Sequence, residues 1–175
     1  MGLPQIIMMV VFLGVVVFFV VRSKGMVAKG AAALDFRPSL AALRTGAAAS
    51  REPGESEPVC VVAYHYSGTS AQPVVVGVTE RHIFVVKGTS PMMTFPYDYE
   101  GEHYSSKEKT KQKKGFFDWS HGHFDDGTKG YSPKVKVAPF AGEEWRMYPT
   151  MEGFPEQKDN LREFSGRFYF QWFYD

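Results

Sequence analysis

The chain has 175 residues, with 20 Lys and Arg against 19 Asp and Glu and a formal net charge of +1. So even a balance argues against a nucleic-acid binder, whose footprint is a strongly basic face. Aromatic residues make up 15%, which favours a packed core over a disordered chain, and the single cysteine, Cys60, excludes an intrachain disulfide and suits a reducing compartment.

Residues 6–21 form an uninterrupted apolar run without a charge. A helix over them reaches roughly 24 Å, and residues 2–5 extend it toward the roughly 30 Å hydrocarbon core of a bilayer. Val and Ile are poor helix formers in water, but lipid forces a helix because each backbone N–H and C=O must be satisfied within the segment. Pro4 falls in the first turn, where its missing N–H costs nothing. The reading is a single transmembrane anchor over 1–24. Arg22, Lys24 and Lys29 follow the run and no Lys or Arg precedes it. By the positive-inside rule the N-terminus lies outside and the rest of the chain in the cytoplasm. A cleaved signal peptide fits less well. It needs a basic n-region, absent here, and the Ala31, Ala32, Ala33 tract lies well past the apolar run.

Residues 25–56 read as a tether. Leu34, Leu40 and Leu43 suggest a short helical face interrupted by Pro38, and 39–49 is either a short helix or a mobile tether. Residues 47–58 are a linker by composition. The folded domain is expected over 57–175. Strands are expected at 59–66, 74–79 and 83–87, joined by polar turns at 67–70 and 79–82. A fourth is expected at 94–99, where Pro96 implies an edge or a bulge, and further strands at 134–138 and 144–148. Between them lies a polar, Gly-rich stretch, 100–132, of the length that is usually functional or mobile. At the C-terminus, Leu161, Phe164, Phe168 and Trp172 fall at helical spacing behind Pro155 and Glu156. A helix is preferred there, although 167–174 also alternates as a strand.

The stretch Val76, Gly77, Val78, Thr79, Glu80, Arg81, His82, Ile83, Phe84, Val85, Val86 resembles the opening hairpin of bacterial pleckstrin-homology-like domains. The segment Phe95, Pro96, Tyr97, Asp98 is similar to the strand that follows it in that family. The likeness covers about residues 57–99, and the long 100–132 stretch departs from the family's tight connection. The resemblance implies a mainly β fold, a β-sandwich or partly open barrel closed by a C-terminal helix. It also implies a domain that binds lipid headgroups, peptides or proteins and is not an enzyme. Fold does not decide among those ligands.

Chemistry-bearing residues are few. His121, His123 and Asp125, with Asp126, form a weak candidate metal cluster in one short Gly-flanked loop, read as a solvated turn in preference to a metal centre. Cys60 lies in an apolar run and reads as a small buried hydrophobe. No nucleophile elbow, phosphate loop or dinucleotide fingerprint is present, and no cofactor is expected. The remaining feature is the basic run Lys107, Lys109, Lys111, Lys113 and Lys114, followed by Phe116, Phe117 and Trp119. These are the candidate lipid- or partner-binding residues, since basic residues beside exposed aromatics suit an anionic membrane surface. In the competing reading the lysines are simply solvated and the rings tuck into the core.

Three functions compete. The first is a membrane-anchored binding or scaffolding module whose partner is membrane lipid. The second is an accessory subunit of a larger membrane complex, and the third a metal-dependent membrane enzyme using the His121 loop. No nucleic-acid partner is expected.

Overall fold

The computed structural model describes residues 34–68, 70–97, 115–118 and 130–168. The expected anchor, Trp172, Lys107 to Lys114, Trp119, His121, His123 and Asp125 lie outside the described residues. In chain order the elements are α1 (Arg37–Ser50), β1 (Val59–Ser67), β2 (Ser70–Val78), β3 (His82–Lys87), β4 (Met93–Pro96), β5 (Phe117–Asp118), β6 (Lys134–Val135), β7 (Trp145–Arg146) and α2 (Gln157–Arg167). The fold is mainly β with a C-terminal helix, as expected. One antiparallel sheet has the order β4-β3-β2-β1-β7, and β5 pairs with β6 in a second, two-stranded sheet. Each of β1 to β4 pairs with its sequence neighbour, because short polar turns allow only antiparallel hairpins.

The apolar runs of β1, β2 and β3 are continuous, and the reason is burial of the central sheet on both faces. Val61, Ala63, Val74, Val76, Val78, Ile83 and Val85 point into one core with Phe117, Trp145, Leu161 and Phe164. The alternate residues Cys60, Val62, Val75, Phe84 and Val86 point the other way, into a second core with Phe36, Leu40, Leu43, Ala47 and Phe154. The first core is closed by β5, β6 and α2. The second is closed by α1.

Of the two readings of 39–49, the short helix is the one found: residues 37–50 form a helix docked on the sheet, and the folded unit reaches back to Phe36, ahead of the Glu57 boundary that composition suggests. Pro38 does not interrupt this helix; it stands in the first turn, where its fixed φ suits the start. Close approach is possible because β2 carries Gly77 on that face. A Cβ there would lie 2.8 Å from Leu43 Cδ2 and 3.1 Å from Pro58 Cβ.

Polar contacts complete the sheet where its ladders stop. Gly88 N–H donates to Pro73 O at 2.8 Å, but Pro73 has no N–H to return. Gly88 O instead accepts from Ser39 Oγ of α1 at 2.8 Å, and Ser39 is buried. At the outer edge, Tyr97 N–H donates to Arg81 O at 2.7 Å. By the alternation of an antiparallel ladder, Pro96 opposite His82 then directs its nitrogen away from β3, the position an edge proline tolerates. At the other edge β7 pairs only with Tyr64 and His65. Further along β1, α2 takes over. Gln157 Oε1 accepts from Val62 N–H at 3.0 Å while its Nε2 donates to Val62 O at 2.8 Å and to Tyr148 O at 3.1 Å. Asn160 Nδ2 donates to Cys60 O at 2.8 Å. Side chains thus stand in for a missing strand and block an edge that would otherwise invite pairing.

Candidate functional site

Three polar clusters are built into the described part. The first surrounds the β2–β3 turn, residues 79–82. Thr79 is fully buried, and its Oγ1 accepts from His82 N–H at 3.0 Å and Arg81 N–H at 3.3 Å, which closes the turn. Glu55 reaches it from the segment before β1. Its carboxylate accepts from Thr79 Oγ1, lies 2.9 Å from His82 Nδ1, and accepts from Glu52 N–H at 2.9 Å. Burial works against its charge, but these hydrogen bonds outweigh it and hold the carboxyl near 2, below the ordinary 4.5. Such a depressed carboxyl adds stability that is fully present above about pH 4.5 and drains as the pH falls toward 2. A melting-temperature series should therefore show wild type above Glu55→Gln at pH 6, with the gap closing between pH 4.5 and 2. A gap that stays constant over that range would count against the ionised network.

The second cluster lies at the opposite end of the sheet. Glu143 accepts from Lys87 Nζ at 2.6 Å and Trp145 Nε1 at 2.8 Å, with His65 Nδ1 3.7 Å away. Burial opposes the charge on Glu143, yet the Lys87 and Trp145 bonds hold its pKa below the ordinary carboxylate range. One carboxylate therefore ties β1, β3 and β7 together. The third cluster is aromatic. Tyr66 and Tyr148 share a hydroxyl contact of 3.1 Å, Arg146 stacks 5.1 Å from the Tyr66 ring, and Tyr64 donates to Leu34 O at 3.4 Å. Burial raises the Tyr64 phenol to about 12 and the Tyr66 phenol further, so both stay neutral. These clusters join elements.

Cys60 is buried and donates to Pro58 O at 3.5 Å. Burial pushes its thiol up to about 11, against partial relief from Arg44, and leaves little thiolate to react. Among the described residues no group of three or more His, Cys, Asp or Glu could hold a metal ion, and no helix is long and apolar enough to cross a membrane.

The described residues that flank the lysine stretch are Tyr97 and 115–118. The chain enters it at Tyr97, whose hydroxyl donates to Arg167 O and whose ring packs 5.8 Å from Phe168. It returns at Phe116 and Phe117. These two rings belong to the first core, 5% and 2% exposed, so their position is the buried one of the two stated above. Phe116 lies 5.3 Å from Phe95 and 4.8 Å from Phe117, and Phe117 lies 5.8 Å from Trp145. The described residues on either side of 98–114 therefore lie close together, joined by aromatic packing.

Sequence reasoning missed Gln157, Asn160, Glu55 and Glu143. Gln157 had a signal: it lies four residues before Leu161 on the apolar stripe of α2, where a polar side chain must find partners. Glu55 and Glu143 had none, since the partners that tie them to other elements, Thr79 and His82 for Glu55 and Lys87 and His65 for Glu143, are distant in sequence. The chain matches no protein-family model, no curated protein and no solved structure.

Proposed function

We propose that this is a single-pass membrane protein whose β domain, tethered on the cytoplasmic side, binds anionic lipid through the basic stretch Lys107, Lys109, Lys111, Lys113 and Lys114. The observation that carries the reading is the pairing in one chain of the charge-free run 6–21 with that basic stretch. Each lysine near an anionic surface is worth about 1 kcal/mol, and tethering raises the local concentration enough for weak contacts to suffice. Two further observations support it. The described residues that flank 98–114 sit together in the core, with the Phe95 and Phe116 rings 5.3 Å apart. Also, Leu34 and Tyr97 stand at opposite ends of the sheet, near Tyr64 and Arg81 respectively. That separation is about 20 Å. The segment 25–33 between anchor and domain spans up to about 30 Å when extended, long enough for either end to face the bilayer.

Two measurements test this. With the full chain expressed in cells, a reporter fused after Asp175 is expected to behave as cytoplasmic; a periplasmic or extracellular signal overturns the orientation. In the second, detergent-purified full chain is mixed with vesicles. Binding should rise with anionic lipid content, weaken as salt shortens the Debye length below about 10 Å, and drop at least tenfold when the five lysines become Gln. Equal binding to neutral and anionic vesicles would sink the lipid reading.

A further inference from the structure

The segment 51–58, which joins α1 to β1, touches the β2–β3 turn residue by residue. Glu52 pairs with Arg81. Glu55 engages Thr79 and His82. Ser56 donates to Glu80 through its hydroxyl at 2.6 Å and its amide at 3.2 Å. The turn is held from its other side as well, because Arg167 of α2 lies 3.8 Å from Glu80. No residue from 51 to 57 belongs to either apolar core. Glu52, Pro53, Gly54, Ser56 and Glu57 are exposed. The flanking elements are held quite differently. α1 contributes Leu40, Leu43 and Ala47 to one core, and β1 contributes to both.

We infer that segment 51–58 is a polar latch that opens and closes over the 79–82 turn while α1 and the sheet stay folded. Segments with few buried apolar contacts open locally at a smaller free energy than the core. Here nearly everything that holds the segment is a charge or a hydrogen bond, so its opening responds to ionic strength in a way that core opening does not. When it opens, buried Thr79 and the start of β1 at Val59 become accessible, and α1 stays on the sheet through its own apolar face and the Ser39 to Gly88 hydrogen bond.

Hydrogen exchange on the full chain in detergent, at low and high salt, tests the latch. Amides of 52–57 are expected to exchange well before those of β1, β2, β3 and α1, and about 10-fold faster at 1 M than at 0.05 M salt. Glu55→Gln should accelerate them by about 10- to 100-fold, with little change in the strands. Arg81→Glu should also accelerate them, and adding Glu52→Arg should recover part of the loss. If 52–57 exchange only together with the strands, or at a rate indifferent to salt, the segment is a fixed part of the core and the latch does not exist. Should Arg81→Glu fold poorly, the wild-type salt series decides alone.

Discussion

A chain that begins at Glu57, the boundary its composition suggests, is expected to aggregate instead of folding. Without α1 the sheet exposes Cys60, Val62, Val75, Phe84 and Val86 together. At about 1.5–3 kcal/mol for each large apolar side chain returned to water, the loss is on the order of 10 kcal/mol. That equals the whole stability of an ordinary domain. A contiguous apolar face of this kind also invites association. Within the full chain, Leu43→Ala probes the same contact more gently. Leu43 is fully buried and rests against Gly77 and Pro58, so the substitution should cost about 2–5 kcal/mol. Gly77→Ala acts from the other side of the contact by forcing Leu43 to move, at about 1–3 kcal/mol. Size-exclusion chromatography and denaturant unfolding measure these effects. A monomeric, cooperatively unfolding chain starting at Glu57 would show that α1 is dispensable.

Gln157→Leu should destabilise the protein by about 3 kcal/mol or more, although it adds apolar volume to a helix stripe. The Gln157 side chain is fully buried and makes three hydrogen bonds with the backbone of Val62 and Tyr148. Leu withdraws the partner from the buried Val62 N–H and C=O, at about 1–3 kcal/mol each. Gln157→Glu is the sharper variant. A carboxylate can still accept from Val62 N–H, but it then faces the carbonyls of Val62 and Tyr148, where an amide donor is needed. A protonated Glu restores one donor, so this variant should gain stability relative to wild type as the pH is lowered through the carboxyl range. The Leu variant should show no such trend. A Leu variant as stable as wild type would mean that water replaces the lost bonds and that the β1 edge is not held by α2.

The strands were readable because their signals are local. β-branched and aromatic density marks β1, β2 and β3, and polar turn residues separate them. The C-terminal helix was readable from Leu161, Phe164 and Phe168, which do lie on one buried face. The motif around Gly77 and Thr79 was visible as a pattern, but its reasons were not. Gly77 makes room for Leu43, and Thr79 closes the turn and receives Glu55. The strands β5, β6 and β7 are two residues each, too short for periodicity to mark fully, and β5 was not anticipated. Phe116 and Phe117 show the limit most clearly. The same rings beside a lysine run suit either a membrane surface or a core, and only their neighbours Phe95, Trp145 and Phe164 decide between the two.

The sequence by itself determined a β-rich unit, its hairpin order and its closing helix, because propensity, turn chemistry and apolar spacing act within a few residues of chain. The unbroken apolar runs of β1 to β3 are the counterpart of burial on both sides of the sheet. What covers each side was decided only in three dimensions. The helix that seals the second face comes from a stretch whose Ala-rich, linker-like composition is weakly apolar, and its place depends on matching Leu43 to Gly77. The polar ties of Gln157 to Val62, Glu143 to Lys87, Glu55 to Thr79 and Ser39 to Gly88 join residues from 24 to 95 positions apart. Hydrogen bonds of that kind form only after the chain has folded back on itself, so no local pattern announces them.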